Sequence, residues 1–256
     1  MQTKALGTVI EWSGRSSTPA DFYSGMLDYW DHWQSIDPRL AEHHAVLSTA
    51  AEAFGHDLVN LATYAHEILS WLEPSRIRRS PSVVVVGGMT EAFIFTLRSA
   101  CDVIATALAH YAAEKRGQAP KDSLRGLITW SERNPSRVHA SIRTVLAADF
   151  GWFWKLRALR DALGHRGSHA NIHCDGRQFN LWLHGPDGWI TREPLLPLLA
   201  GQLVHLVDLS DSSAQAINEV IDFPPDRLKS RIVNGVLISA LHDLLKTADN
   251  YAEPSP

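Results

Sequence analysis

The sequence predicts an all-α fold, a helical bundle interrupted once, late in the chain, by a small antiparallel β-hairpin or meander. Three observations predict it. Leu40, Leu47, Phe54, Leu61 and Ile68 recur every seven residues, and Ile94, Leu97, Cys101, Ile104, Leu108 and Tyr111 follow spacings of three and four. Both are periods of amphipathic helices. After Gly167 the period drops to two, with Phe179, Leu181 and Leu183 on alternate positions, as in a half-buried strand.

Residues 1–36 read as an N-terminal arm, with a short helix expected around Asp21–Trp33. Asp37-Pro38 is a helix start, Asp as cap and Pro at the first helical position. The helix it opens carries a second apolar row (Ala51, Leu58, Ala65, Leu72) and is expected to end at Glu73-Pro74. A basic loop follows (Arg76, Arg78, Arg79), then Val83–Val86 and Gly87-Gly88. A strand running into paired glycines would suit a nucleotide-binding turn. The third spaced glycine and the acidic ribose ligand are missing, so the run reads as the apolar lead-in to the next helix. That helix is expected to stop near Gly117 and Pro120. Two shorter helices follow around Asp122–Ser131 and Ser136–Ala147, and a third carries Trp152, Leu156, Leu159 and Leu163 on one face.

Asp175-Gly176 and Pro186-Asp187-Gly188 are the turns of the β segment. Helices resume near Pro197–Val220 and Asp226–Lys246. The expected organisation is an arm (1–36), a helical bundle (37–221, with the hairpin at 170–192), and a last helix and tail (222–256) packed on the same domain. No repeat or linker divides it.

The chain has 256 residues, enough for a large core, with 45% hydrophobic and 20% charged residues. Its net charge of -4 removes a global basic balance, so a nucleic-acid role must rest on a local patch. Two cysteines, Cys101 and Cys174, give no disulfide framework, and a reducing cytoplasm is the expected location. No apolar run precedes Glu11, so no signal peptide is expected. The apolar stretch Leu195–Val207 is interrupted by Pro197, Gln202 and His205, too short to span a bilayer.

Common catalytic signatures are missing. His66-Glu67 begins a zinc-protease pattern, but Ser70 stands where the second histidine would be. His169, His173 and Cys174 lack a spaced second pair of ligands. Neither a metal nor a cofactor is expected. What remains is Arg160-Asp161-Ala162-Leu163-Gly164-His165, an arginine and a histidine at the exit of an amphipathic helix. An arginine clamps phosphate and a histidine moves protons. Arg39…His44, Arg133…His139 and Arg166…His173 share the loose spacing. The first lies in the opening turns of a helix, the second is broken by Pro135, and the third runs from a loop into a strand.

Residues five apart on a helix stand about 140° apart. Gly164 is expected to take the left-handed conformation and turn His165 back towards Arg160. From Lys155 to Arg177 five basic residues (Lys155, Arg157, Arg160, Arg166, Arg177) face two acidic ones, a basic island suited to phosphate. Trp152-Phe153-Trp154 could stack bases, although core packing is their commoner use.

On these residues the chain resembles the HEPN superfamily, helical-bundle domains that include many toxin and defence ribonucleases marked by Arg-x(4–6)-His. The polar residue that usually follows the arginine is Asp161. Residues 38–221 could belong to such a domain. The resemblance implies metal-independent RNA cleavage with Arg160 and His165 as catalytic residues, Asp161 orienting them, and Lys155, Arg157 and Arg166 binding substrate. It also implies a homodimer with facing motifs, and an antitoxin or other regulatory protein as a possible partner. Two readings stay open beside it: a non-catalytic helical module that binds partners or ligands, and a nucleotide-binding protein using Gly87-Gly88.

Overall fold

The computed structural model describes residues 3–4, 7–8, 38–73, 75–77, 79, 82–115, 117–121, 123–165, 170–175, 178–185, 188–221 and 235–252. The fold is mostly α with a small antiparallel meander. Its helices are α1 (Pro38–Ser70), α2 (Ser82–Tyr111), α3 (Leu124–Arg133), α4 (Ala140–Leu146), α5 (Gly151–His165), α6 (Leu195–Val220) and α7 (Gly235–Ala252). The strands are β1 (Thr3–Lys4), β2 (Gly7–Thr8), β3 (Asn171–Cys174), β4 (Phe179–Gly185) and β5 (Gly188–Pro194). Strands β1 and β2 form a two-residue antiparallel ribbon. The arm helix expected at Asp21–Trp33, the Asp37 cap and the start of the last helix at Asp226 lie outside the described residues.

The apolar rows are the buried rows. On α1, Leu47, Phe54, Leu61 and Ile68 are each fully buried, and so on α2 are Leu97, Cys101, Ile104 and Leu108. Burying a side chain of this size contributes about 1.5–3 kcal/mol, which fixes which face of each helix turns inward. The run Val83–Val86 is the first turn of α2 and no strand. Among the described residues α2 is also the one helix long and apolar enough to cross a membrane by length and composition, and 56% of its most apolar window is buried inside the protein. By that measure α2, and not the stretch Leu195–Val207, is the candidate span.

The chain divides into two compact units, each built from three separate segments. Unit one comprises residues 1–58, 99–149 and 206–235. Here α2 ends at Tyr111, short of Gly117, because the next residues pair elsewhere. Ala113 forms an antiparallel bridge with Val138, and the Ala112 carbonyl accepts the His139 N–H at 2.9 Å. That pairing splits the helix expected over Ser136–Ala147 into a 3-10 turn (Pro135–Arg137) and α4. Ser123 caps α3 by accepting the Gly126 N–H, and Asp102 accepts the Leu124 N–H at 2.9 Å.

Unit two comprises residues 59–98, 150–205 and 236–256. It holds the meander, in order β3-β4-β5 with both pairings antiparallel. Phe179, Leu181 and Leu183 are buried and share one face of β4, as their alternation requires. The meander lies against the start of α2 at Gly87, where a Cβ would stand 3.2 Å from the Ala170 carbonyl oxygen and 3.7 Å from Ile172 Cγ1. Gly87 thus serves close packing of helix and strand, not a phosphate.

Candidate functional site

Every residue picked out around Arg160 falls in unit two. Helix α5 buries Phe153, Leu156 and Leu159 completely and Leu163 nearly so. This apolar face sets the azimuth of the remaining side chains. Arg160 sits at its edge with a half-exposed guanidinium 5.9 Å from the centre of the Phe95 ring. Its Nη1 donates to Asp161 Oδ1 at 2.9 Å, while Arg157 Nε stands 3.5 Å from Asp161 Oδ2. One carboxylate therefore joins two guanidiniums. At a solvent-exposed position such pairs contribute at most about 1 kcal/mol, so the main effect of Asp161 is to orient Arg160.

The expected break at Gly164 does not occur. Helix α5 continues through Gly164 to His165. The glycine has another cause: a Cβ there would stand 3.3 Å from Phe95 Cζ and 3.4 Å from Phe95 Cε1, so its lack of a side chain lets α5 approach α2. On a continuous helix positions 160 and 165 stand about 140° apart around the axis. His165 shares a helical stripe with Trp154, Ala158 and Asp161, with Asp161 one turn before it. The side chain of His165 and all of Arg166 lie outside the described residues.

Lys155 Nζ donates to Glu193 Oε1 of β5 at 2.6 Å. Burial alone would push the Glu193 carboxyl up. Hydrogen bonds from Lys155 and Thr191 and the Lys155 charge outweigh it and hold the group below its usual value. The basic island is thus flatter than the residues of 155–177 suggest, because β5 returns a carboxylate to it. Sequence spacing gives no sign of this pair, which depends on how the meander folds back.

Of the three consecutive aromatics, Phe153 is buried, Trp152 stacks on His205 with ring centres 5.3 Å apart, and Trp154 is 40% exposed. Of the three, Trp154 offers the most surface to a ligand. His173 is stacked on Trp182 at 3.7 Å, and Cys174 Sγ donates to the Ile77 carbonyl at 3.7 Å. Among the described residues no three His, Cys, Asp or Glu side chains are grouped to hold a metal ion. Glu91, a residue that spacing did not single out, accepts the Ala170 N–H at 2.8 Å. It thereby fixes the chain five residues beyond His165 to α2. Compared with family models, curated proteins and solved structures, the chain matches none.

Proposed function

We propose that this protein is a metal-independent endoribonuclease of HEPN type, acting as a homodimer. The observation that supports it is the orientation of Arg160 by Asp161 on the exposed edge of α5, five residues before His165. In this reading Arg160 binds the scissile phosphate and offsets the charge that grows on its oxygens. The ribose 2′-hydroxyl attacks the neighbouring phosphorus, the bond to the 5′-oxygen breaks, and the products are a 2′,3′-cyclic phosphate and a 5′-hydroxyl. A histidine removes the 2′-hydroxyl proton and a second one protonates the leaving oxygen. DNA lacks the nucleophile and is left intact.

The reaction needs two proton carriers and each motif has one histidine. On the continuous α5 positions 160 and 165 of one chain also stand about 140° apart. A two-fold dimer meets both demands by pairing Arg160 of one copy with His165 of the other. Lys155, Arg157 and Arg166 are the substrate-binding candidates on the same helix end. Such an enzyme acts as a toxin or defence effector and calls for restraint by an antitoxin or other regulatory protein.

The carboxylate partners of Lys155, Arg157 and Arg160 favour one second reading, a non-catalytic HEPN-like module in which these residues serve a protein-binding surface. An RNA cleavage assay in EDTA separates the two. The ribonuclease reading expects cyclic-phosphate ends from the wild type and a loss of about a hundredfold or more in Arg160→Ala and His165→Ala. Cleavage undiminished in both variants, or abolished by EDTA, overturns it.

A further inference from the structure

We propose that unit one holds a second, independent site, one that binds a small organic phosphate monoester of roughly nucleoside-monophosphate size. The site is a cavity of about 460 Å³, within the range of small-molecule pockets. It exists because the Ala113–Val138 bridge and the His139 N–H to Ala112 carbonyl bond pin the 3-10 turn against the end of α2. That places Arg137 and His139 beside His110 and Tyr111. Helix α1 adds His43, whose Nδ1 is 3.2 Å from the Tyr111 hydroxyl. Three histidines far apart in sequence thus line one cavity.

The polar groups fit an anion. Arg137 is exposed and is the guanidinium that lines the cavity. Among the described residues no carboxylate lies within ion-pair distance of it, Glu114 on the same cavity wall included. A planar guanidinium with no carboxylate to match it is suited to bidentate binding of phosphate or carboxylate.

His139 chooses between those two. Ser141 Oγ donates to the Ala216 carbonyl at 3.2 Å, so the 2.9 Å contact between Ser141 Oγ and His139 Nδ1 has the imidazole as donor. The Nδ1 proton leaves Nε2 of the neutral ring as an acceptor. A phosphate monoester has its second ionisation at about pH 6. At about pH 6 and below, its P–OH can donate to Nε2 while its anionic oxygens engage Arg137. A carboxylate or a phosphodiester has no such proton at about pH 6. The organic part of the ligand has a surface in Val138, Val220 and Ile221, and Glu114 accepts from its hydroxyl or amino groups.

Titration calorimetry on the full chain tests this with AMP and ribose 5-phosphate as probes, and adenosine and inorganic phosphate as controls. Saturable one-to-one binding is expected for at least one probe, with both controls weaker. Arg137→Gln and His139→Asn should each weaken it by about ten- to a hundredfold with an unchanged melting temperature, and RNA cleavage should not change. No saturable heat from either probe, equal binding of adenosine or inorganic phosphate, or binding unchanged in Arg137→Gln overturns the proposal. A failed site here leaves the Arg160 reading untouched, because the two sites share no residue.

Discussion

Gly164 shows how one residue type can serve two ends. A glycine near a helix terminus commonly takes a positive φ, where alanine is strained; Gly164 is instead helical and spares Phe95 a contact. The two readings give opposite results for Gly164→Ala. The Phe95 ring is 37% exposed and its far edge can yield by the few tenths of an ångström required. The gain in helix propensity, about 0.5–1 kcal/mol, should then dominate, and a thermal melt should show Tm unchanged or raised by about 2–4 °C. A fall would restore the left-handed turn. Asp57 carries a second prediction. Burial pushes its carboxyl up, against the lowering effects of the Ser99 hydrogen bond and the His56 charge. Because the folded value lies above the unfolded 3.8, the group's contribution is full below 3.8 and is lost as pH rises through the folded value. Asp57→Asn keeps an acceptor for Ser99, so denaturant melts should find it more stable than wild type at pH 7, with the gap closing towards pH 4.

At the scale of elements, the amphipathic helices were readable because burial selects for period, and α1, α2 and α5 bury the rows their spacing marks. What spacing could not give was pairing at a distance. The Ala113–Val138 bridge ends α2 early and divides the segment after Asn134, and neither residue announces it. The Lys155–Glu193 pair is of the same kind. The close fit of α2 and β3 leads to a prediction. Gly87 is buried and faces the Ala170 carbonyl, a backbone atom that cannot rotate away. Gly87→Ala should therefore cost about 1–3 kcal/mol in urea denaturation, even though alanine is the better helix former. A neutral Gly87→Ala beside a destabilised Gly164→Ala would reverse the roles given to the two glycines.

For the whole molecule, the proposed reaction makes a demand that a single chain does not meet. If the two His165 residues of a dimer serve one shared reaction, wild type mixed with an equal amount of His165→Ala and left to exchange subunits keeps both histidines in a quarter of its dimers, so about a quarter of the activity of the same total amount of wild type is expected. A mixture that keeps about half of that activity would place all the groups of each site on one chain. The arginine and histidine of that site stand close in sequence and could be found there. The cavity of unit one could not, since His43, His110 and His139 meet only through the fold. Helix α2 takes β3 at a distance that leaves no room for a methyl group beside a fixed backbone oxygen. Mutational drift can change many side chains around it, yet that contact point admits few replacements. Ancestry should accordingly be traceable longest through Gly87, which has no side chain to vary.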